Sequence, residues 1–343
     1  MGDSRFAELA FRRLPLACLA AAAVAGGMLG PRWSARAAPL PWLVALAVVG
    51  LAHGATDLAV SKRCCPIRAI RRTWAAYAAA MAAVVLAYGI APVTTIVSFV
   101  LLSAWHFGHA ATEVGRTDRD EAPWQPLCSA MARGGIMLGV PLAGWPEATS
   151  CVATTLLRLT GHEALAAAHP FPSAAVRGFG LVLVAVAAVG IAVECITAGR
   201  VADNDRRSAR ALTESAVIAS LGLTTDPLFS VGMSFLVWHA WRQMEPLAEI
   251  LADGRPASWP ELVRAVIRIH VAALPLLMPA WLAVGGAWWL ASPTHSARDL
   301  AILSIGAYLV VTPAHELLDG MLVARSSTRP TASCPKRSVS CSA

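Results

Sequence analysis

Long apolar stretches alternate with short polar segments along almost the whole chain. Many of these stretches are close to 20 residues long, the length at which a helix crosses about 30 Å of hydrocarbon. Proline and glycine fall mostly between the stretches, as in Asp226-Pro227, where a helix would end. We predict ten membrane-spanning helices, over residues 14–30, 39–60, 73–90, 92–112, 127–145, 174–197, 211–225, 227–244, 269–290 and 299–320.

Composition supports an integral membrane protein. Hydrophobic residues make up 57% of the 343 residues and charged residues 14%, whereas soluble proteins carry roughly 25% charged residues. The predicted fold class is therefore all-α, a polytopic membrane helical bundle, with residues 1–325 forming one membrane-embedded domain. The segment 326–343 is rich in Ser, Thr and Pro, so a disordered cytoplasmic tail is predicted there.

Basic residues indicate the orientation of the bundle. Segment 61–72 carries five Lys and Arg residues and segment 199–210 carries four, and further ones lie near both termini. With ten helices all of these segments fall on one side, which is the cytoplasmic side because cytoplasmic loops retain Lys and Arg. Both termini are then cytoplasmic. A basic face beside anionic lipid explains the net charge of +7 without a nucleic-acid partner.

The first apolar stretch has two interpretations. The residues RRLPLACLAAAAVAGGML, followed by SARAA, resemble a signal peptide with a small-residue cleavage site. Cleavage would leave nine helices in the same orientation, and we favour an uncleaved membrane anchor. The eight cysteines form no C-x-x-C pair and have no zinc-like spacing with histidine, so neither a disulfide framework nor a cysteine-based metal site is expected.

Four histidines on four predicted helices share one depth in the membrane. Counted from the cytoplasmic end of each helix at a rise of 1.5 Å per residue, they lie roughly 7 to 11 Å deep. A single membrane histidine is usually a hydrogen-bonding residue between helices, but four at matched depth favour a common site. His270, at the start of the predicted ninth helix, is interpreted as an interfacial structural residue. The four histidines are His53, His106, His239 and His315.

Carboxylates accompany two of these histidines. Asp57 follows His53 by four residues and Asp319 follows His315 by four, a spacing that places both side chains on one helix face. A carboxylate there would orient the imidazole of a metal-bound histidine. The alternative is that both aspartates are simply interfacial.

Ligand type alone does not name the metal, because imidazole binds zinc, copper, iron and nickel. A neutral, membrane-buried site of this kind favours an apolar substrate that enters from the bilayer. Since O2 also partitions into membranes, oxidation of a lipid by O2 is the favoured chemistry.

Five segments resemble a known family. GLAHGATDL is similar to the PHGxxD block of the Brp/Blh family of bacterial membrane β-carotene dioxygenases, and SAWHFGHA to its YHFGE block. SFLVWHAWRQ resembles the HxxRH block and VTPAHELLDG the TPHxxxD block. MARGGIMLGVPLAGWPE, with Arg133, Gly134 and Pro141, resembles the RGG...P segment. The blocks keep their order and approximate spacing from residue 50 to 320.

The resemblance implies a membrane-embedded catalytic domain with non-haem Fe(II). Such an enzyme would use O2 to cleave the central double bond of β-carotene into two retinal molecules, in a bacterial inner membrane, with a rhodopsin as a retinal acceptor. Carried over to this chain, the histidines required for activity are His53, His106 and His239. The fourth family histidine is replaced by Gln243.

Two interpretations of Gln243 remain open. Either His315 or His109 completes the metal ligands and Gln243 tunes the site, or the protein is an altered carotenoid-binding or carotenoid-transport protein. His109 lies one helical turn from His106 and nearer the headgroups, where a histidine also simply reaches toward the interface.

Three other classes of membrane protein fit the sequence less well. Membrane desaturases and hydroxylases need HxxxH and HxxHH boxes, which this chain lacks. A b-type haem subunit needs paired histidines that face each other across two helices, and its Soret band would identify it. A transporter should show internal repeats and helices broken at the midplane, and no convincing repeat is found.

Overall fold

The structure, a computed structural model, describes residues 2–64, 67–113, 124–198, 205–252 and 254–328. Every regular element within these ranges is a helix, so the predicted all-α class is confirmed. The last helix continues to Thr328, and residues 329–343 of the predicted tail lie outside the described residues.

The described helices follow one another with few interruptions. The α-helices are Gly2–Glu8, Leu14–Leu29, Pro31–Ala37, Pro39–Val44, Gly50–Ala55, Asp57–Cys64, Ile67–Ile90, Pro92–Glu113, Trp124–Gly144, Pro146–Leu159, Glu163–Ala167, Ser173–Ala198, Asp205–Thr224, Pro227–Met233, Trp241–Leu251, Trp259–Ala291 and Ala297–Thr328. Three π-helical segments join neighbouring α-helices, namely Leu9–Arg13, Ala45–Val49 and Ser234–Ala240.

Seven helical stretches of the described chain are long and apolar enough to cross a membrane. They are Arg5–Leu29, Pro31–Arg63, Ile70–Ile90, Leu127–Gly144, Ser173–Ile196, Trp259–Ala291 and Ala297–Asp319. The fold is thus a polytopic membrane bundle. The other three predicted spans, at 92–112, 211–225 and 227–244, are helical but are not among these seven stretches, and the count of ten stays a prediction.

Backbone contact is closest between the helices Pro92–Glu113 and Trp124–Gly144. A Cβ atom at Gly108 would overlap the carbonyl of Ala130, and one at Gly134 would overlap the carbonyl of Ala104. Small residues allow this approach, as is common between membrane helices. Gly134 belongs to the RGG segment, so that segment holds these two helices together.

A buried charge cluster links two further helices. Arg242 and Arg210 bind Glu214 at 3.4 Å and 3.2 Å between nitrogen and oxygen. The guanidinium of Arg242 also lies 5.2 Å from the ring centre of Trp238, within cation–π range. The opposite charges therefore compensate each other inside the bundle.

Two of the π-helical segments adjoin histidines singled out in the sequence. Ala45–Val49 directly precedes the helix that carries His53, and Ser234–Ala240 contains His239. A π-turn inserts an extra residue and rotates all the following side chains, and such turns are frequent at functional sites. These insertions therefore help to decide which face of each helix carries the imidazole.

His270 has a different place from the one expected. The helix around it begins at Trp259, so His270 lies three turns inside it instead of at its start. Its Nδ1 lies 2.7 Å from the carbonyl oxygen of Val266, and its Nε2 contacts the carbonyl of Val48 in a π-helical segment. Trp281 donates to Leu46 of the same segment at 2.7 Å, so this helix supplies hydrogen bonds to the π-turn.

Candidate metal centre

Three buried imidazoles meet between helices that are far apart in the sequence. His53, His106 and His239 each offer one ring nitrogen, and these nitrogens all lie within 4.8 Å of one another. The residues are 8%, 6% and 2% exposed. A metal ion that binds imidazole nitrogens at about 2.0–2.1 Å would bring such atoms together with only small shifts.

The fourth histidine of the predicted layer lies at the edge of this group. The ring centre of His315 is 5.6 Å from those of His53 and His106. The ring centres of His53 and His106 are 5.4 Å and 4.6 Å from that of His239. The prediction that four helices bring these histidines together is confirmed, although the nitrogens of His315 lie outside the 4.8 Å group.

Two nitrogens of the group have no partner. Neither His53 Nδ1 nor His239 Nε2 forms a hydrogen bond with a residue that the structure describes, and both atoms are buried. A buried polar atom without a partner costs about 1–3 kcal/mol. Three imidazoles that converge, two of which carry such a nitrogen, are a donor set that a metal ion satisfies, so the residues fit a metal.

Glu316 orients the third imidazole. The Nδ1 atom of His106 forms a hydrogen bond with a carboxylate oxygen of Glu316, which lies on a distant helix. With the Nδ1–H donating to this carboxylate, the Nε2 lone pair faces away and is free to bind a metal. Glu316 was missed in the sequence because carboxylates were sought one turn from a histidine of the same helix. Its only sequence signal is its place beside His315 within an apolar helix.

Asp57 binds His315, whereas the sequence paired it with His53. The Nδ1 atom of His315 lies 2.9 Å and 3.0 Å from the two carboxylate oxygens of Asp57, and its Nε2 lies 3.7 Å from Asp319. The α-helix that carries His53 ends before Thr56, and the next begins at Asp57. This break removes the regular spacing that would have stacked Asp57 over His53.

Neither His109 nor Gln243 is among the residues that line the cavity beside the imidazole group. The His109 ring stacks on Trp105 with ring centres 4.9 Å apart, and His109 is not part of the three-residue group. Gln243 is half-buried, one turn beyond His239.

A cavity with mainly apolar walls adjoins the imidazoles. It contains about 500 Å³ of space free of protein atoms, and part of this space is open to the surroundings. Aromatic rings dominate the walls, and three imidazoles face the space. The lining residues are Trp42, Gly50, Leu51, His53, Gly54, Phe99, His106, Phe107, Phe235, Tyr308, Val311, Thr312 and His315.

Comparisons with known proteins agree with this geometry. The sequence model of the family described as Beta-carotene 15,15'-dioxygenase matches residues 44–322. The chain is also similar to the "Probable beta-carotene 15,15'-dioxygenase Blh" of Halobacterium salinarum, with 30% identity over 300 residues, 83% of this chain and 82% of the relative. No solved structure matches the chain. The matched segment contains the imidazole cluster and every cavity residue except Trp42, and the chain belongs to the β-carotene 15,15'-dioxygenase family of carotenoid-cleaving enzymes.

Proposed function

We propose that this protein cleaves the central double bond of β-carotene with O2, forms two molecules of retinal and uses Fe(II) as its cofactor. The observation that carries the proposal is the buried group of His53, His106 and His239 beside an aromatic cavity. Membership of the dioxygenase family supplies the reaction, and the cluster supplies a place for the metal.

Three histidines are proposed as the iron ligands. His106 would bind through Nε2, since its Nδ1 is bonded to Glu316. His53 and His239 would bind through nitrogens that have no partner among the described residues. When bound, Fe(II) supplies open coordination positions at which O2 is activated next to the polyene.

His315 is proposed as the fourth ligand in place of the family histidine that this chain lacks. Its ring lies at the edge of the cluster, and Asp57 engages its Nδ1 as Glu316 engages that of His106. Its Nε2 therefore becomes a ligand atom after a small movement away from Asp319. With His315 as the fourth ligand, the site keeps four imidazoles despite Gln243, which supports retained catalysis over a change of function.

The side chains of the cavity have three tasks in this proposal. Flat aromatic walls hold a conjugated polyene by contact with its faces, and they exclude water from the site. The imidazoles lie along one side of the cavity, so a bound polyene presents a double bond to the metal position. Glu316 and Asp57 hold two of the imidazoles in fixed orientations.

The cellular setting is proposed from the charge pattern and the family. We place the protein in a bacterial inner membrane with both termini in the cytoplasm, where its substrate and O2 both dissolve in the bilayer. A rhodopsin is the proposed acceptor of retinal.

Expression in cells that accumulate β-carotene tests the proposed reaction. We expect the orange colour to fade and chromatography to detect retinal as the main product. A matched strain should express His53→Ala at equal membrane abundance and keep its colour. Full retention of β-carotene by the wild-type protein, folded in the membrane and loaded with iron, would contradict the proposal and favour the alternative of carotenoid binding or transport.

Metal analysis tests the ligand set. Purified wild-type protein is expected to contain iron, and removal of the iron by a chelator should abolish retinal formation until Fe(II) is restored. His315→Ala should lower the iron content, whereas Gln243→Ala should not. Unchanged iron in His315→Ala would exclude His315 as a ligand.

A further inference from the structure

A buried hydroxyl group without a partner belongs to a residue of the cavity wall. Tyr308 is 8% exposed and lines the cavity, and its hydroxyl group is buried and forms no hydrogen bond with a described residue. Because buried polar groups are nearly always paired, a partner is expected from whatever occupies the cavity.

The packing around Tyr308 keeps this hydroxyl in place. Its ring meets Phe235 edge to face, with ring centres 4.8 Å apart, and lies 6.1 Å from the ring of Trp42. A Cβ atom at Gly50 would lie 2.6 Å from the hydroxyl oxygen, so the absence of a side chain there makes room for it. The indole N–H of Trp42 donates to the carbonyl of Leu228 at 2.7 Å and is not available as the partner.

Tyr308 shares a helix face with the histidine at the edge of the metal centre. Thr312 and His315 follow it by four and seven residues, which places all three on one side of the helix, and all three line the cavity. At a rise of 1.5 Å per residue, Tyr308 lies roughly 10 Å along the helix from His315. An elongated molecule along this face would meet imidazoles at one end and the phenol at the other.

The proposed reaction introduces an oxygen atom that needs such a donor. Its hydrocarbon substrate has no hydrogen-bonding group, whereas each product carries an aldehyde oxygen that only accepts hydrogen bonds. Much of the remaining wall is apolar, for example Leu51, Phe99 and Val311. A carbonyl in such a wall binds best where an O–H group faces it.

We propose that the Tyr308 hydroxyl donates a hydrogen bond to the carbonyl oxygen of an apocarotenoid aldehyde in this cavity. The ligand class rests on the proposed function. Tyr308 is thus a specificity residue that makes the cavity bind a polyene aldehyde more tightly than the matching hydrocarbon. It acts on a retinal molecule whose aldehyde end has moved along the cavity from the metal position to Tyr308, and it slows the release of that molecule.

Binding of two probes of equal length tests this role. All-trans-retinal and axerophthene, which has a methyl group in place of the aldehyde, are titrated into the purified full-length protein while tryptophan fluorescence is recorded. Tyr308→Phe keeps the ring and removes only the hydroxyl. We expect its Kd for retinal to rise about three- to tenfold, the usual effect of one lost hydrogen bond, and its Kd for axerophthene to stay unchanged.

Tyr88→Phe is the matched control. The Tyr88 hydroxyl is paired with Thr160 at 2.8 Å and does not line the cavity, so neither Kd should change in this variant. Equal weakening of both probes by Tyr308→Phe, or an unchanged Kd for retinal, would overturn the proposal.

Failure of the proposed function gives a different result from failure of this inference. A wild-type protein that forms no retinal from β-carotene, but loses retinal affinity selectively on Tyr308→Phe, contradicts the cleavage reaction and supports the aldehyde site. A protein that forms retinal, but whose variant binds both probes like wild type, supports the reaction and overturns the role of Tyr308.

Discussion

Two polar regions lie in the described part of the bundle. The imidazole cluster consists of His53, His106 and His239, and the charge cluster consists of Glu214, Arg210 and Arg242. The two regions compensate the cost of burying polar groups in opposite ways. Glu214 lies between Arg210 and Arg242, at 3.2 Å and 3.4 Å, so its charge is neutralised within the protein. His53 and His239, in contrast, each keep a buried nitrogen without a partner among the described residues.

This difference distinguishes a polar group with a structural role from a polar group that binds a ligand. Ionisable groups inside a membrane protein are costly in either case. Where the bundle supplies the counter-charge, the group holds helices together. Where converging nitrogens remain unpaired, the missing partner comes from outside the chain, as a metal ion does. Arg242 Nε also forms no hydrogen bond with a described residue, so the presence of a counter-charge, and not burial or one unpartnered nitrogen, tells the two roles apart.

Among the changes that test this comparison, removal of one imidazole should have the largest effect on iron content and retinal formation. His106→Ala deletes a proposed ligand and leaves Glu316 buried without its histidine, so iron content and retinal formation should fall to background. His109→Ala, one turn away on the same helix, should keep both because its ring stacks on Trp105 outside the cluster. Metal analysis and chromatography on the two purified variants measure this. Iron retained by His106→Ala would remove His106 from the ligand set.

Removal of the Glu214 carboxylate, at the centre of the charge cluster, should destabilise the fold. Glu214→Ala leaves Arg242 buried without its partner, which costs about 3–5 kcal/mol, so the unfolding temperature in detergent should fall clearly. Iron per folded molecule should stay the same. Glu8→Ala is the control, since its pair with Arg13 is exposed and such pairs contribute about 0–1 kcal/mol. An unchanged unfolding temperature in Glu214→Ala would show that the charge cluster is dispensable.

Neutralising Glu316 should weaken the metal site without removing a ligand. Glu316→Gln loses the negative charge beside His106 Nδ1, and changes of this kind lower metal affinity about 10- to 100-fold. Retinal formation should recover when excess Fe(II) is added. Glu147→Gln removes an exposed carboxylate on another helix and should behave as wild type. A Glu316→Gln protein that binds iron as tightly as wild type would leave Glu316 with no orienting role.

Restoring the family histidine should have the smallest effect. Because His315 is the proposed fourth ligand, Gln243→His should change retinal formation by no more than about twofold, as for substitutions outside a ligand set. The iron-to-protein ratio should also stay constant. A several-fold gain in activity together with more iron would instead show that position 243 is a ligand position, and that the wild-type site is incomplete.

Depth was the part of the site that could be predicted from the sequence. The helical rise is constant and the membrane boundary is visible in the hydropathy, so His53, His106, His239 and His315 could be placed in one layer. The structure brings their rings close together, with neighbouring ring centres 4.6 to 5.6 Å apart, and their depth in the membrane stays a prediction. The membrane bundle itself could be predicted for the same reason, because about 20 apolar residues have few other stable arrangements in a bilayer.

Partners could not be predicted, because they depend on rotation about each helix axis. A π-turn before His53, another around His239 and a break at Thr56 each rotate the side chains that follow. Asp57 consequently binds His315, and Glu316 binds His106 from a helix about 200 residues away in the chain. The pattern of hydrophobic residues carries no signal for any of these rotations.

The sequence by itself determined the class of the protein, the depth of its histidines and the family that its motifs resemble. These properties follow from composition and from distances along a single helix. Only the tertiary structure decided which imidazoles converge, which carboxylates hold them and that Tyr308, with its unpartnered hydroxyl group, lines the cavity. Contacts between helices depend on their rotation and close packing, which involve residues far apart in the chain.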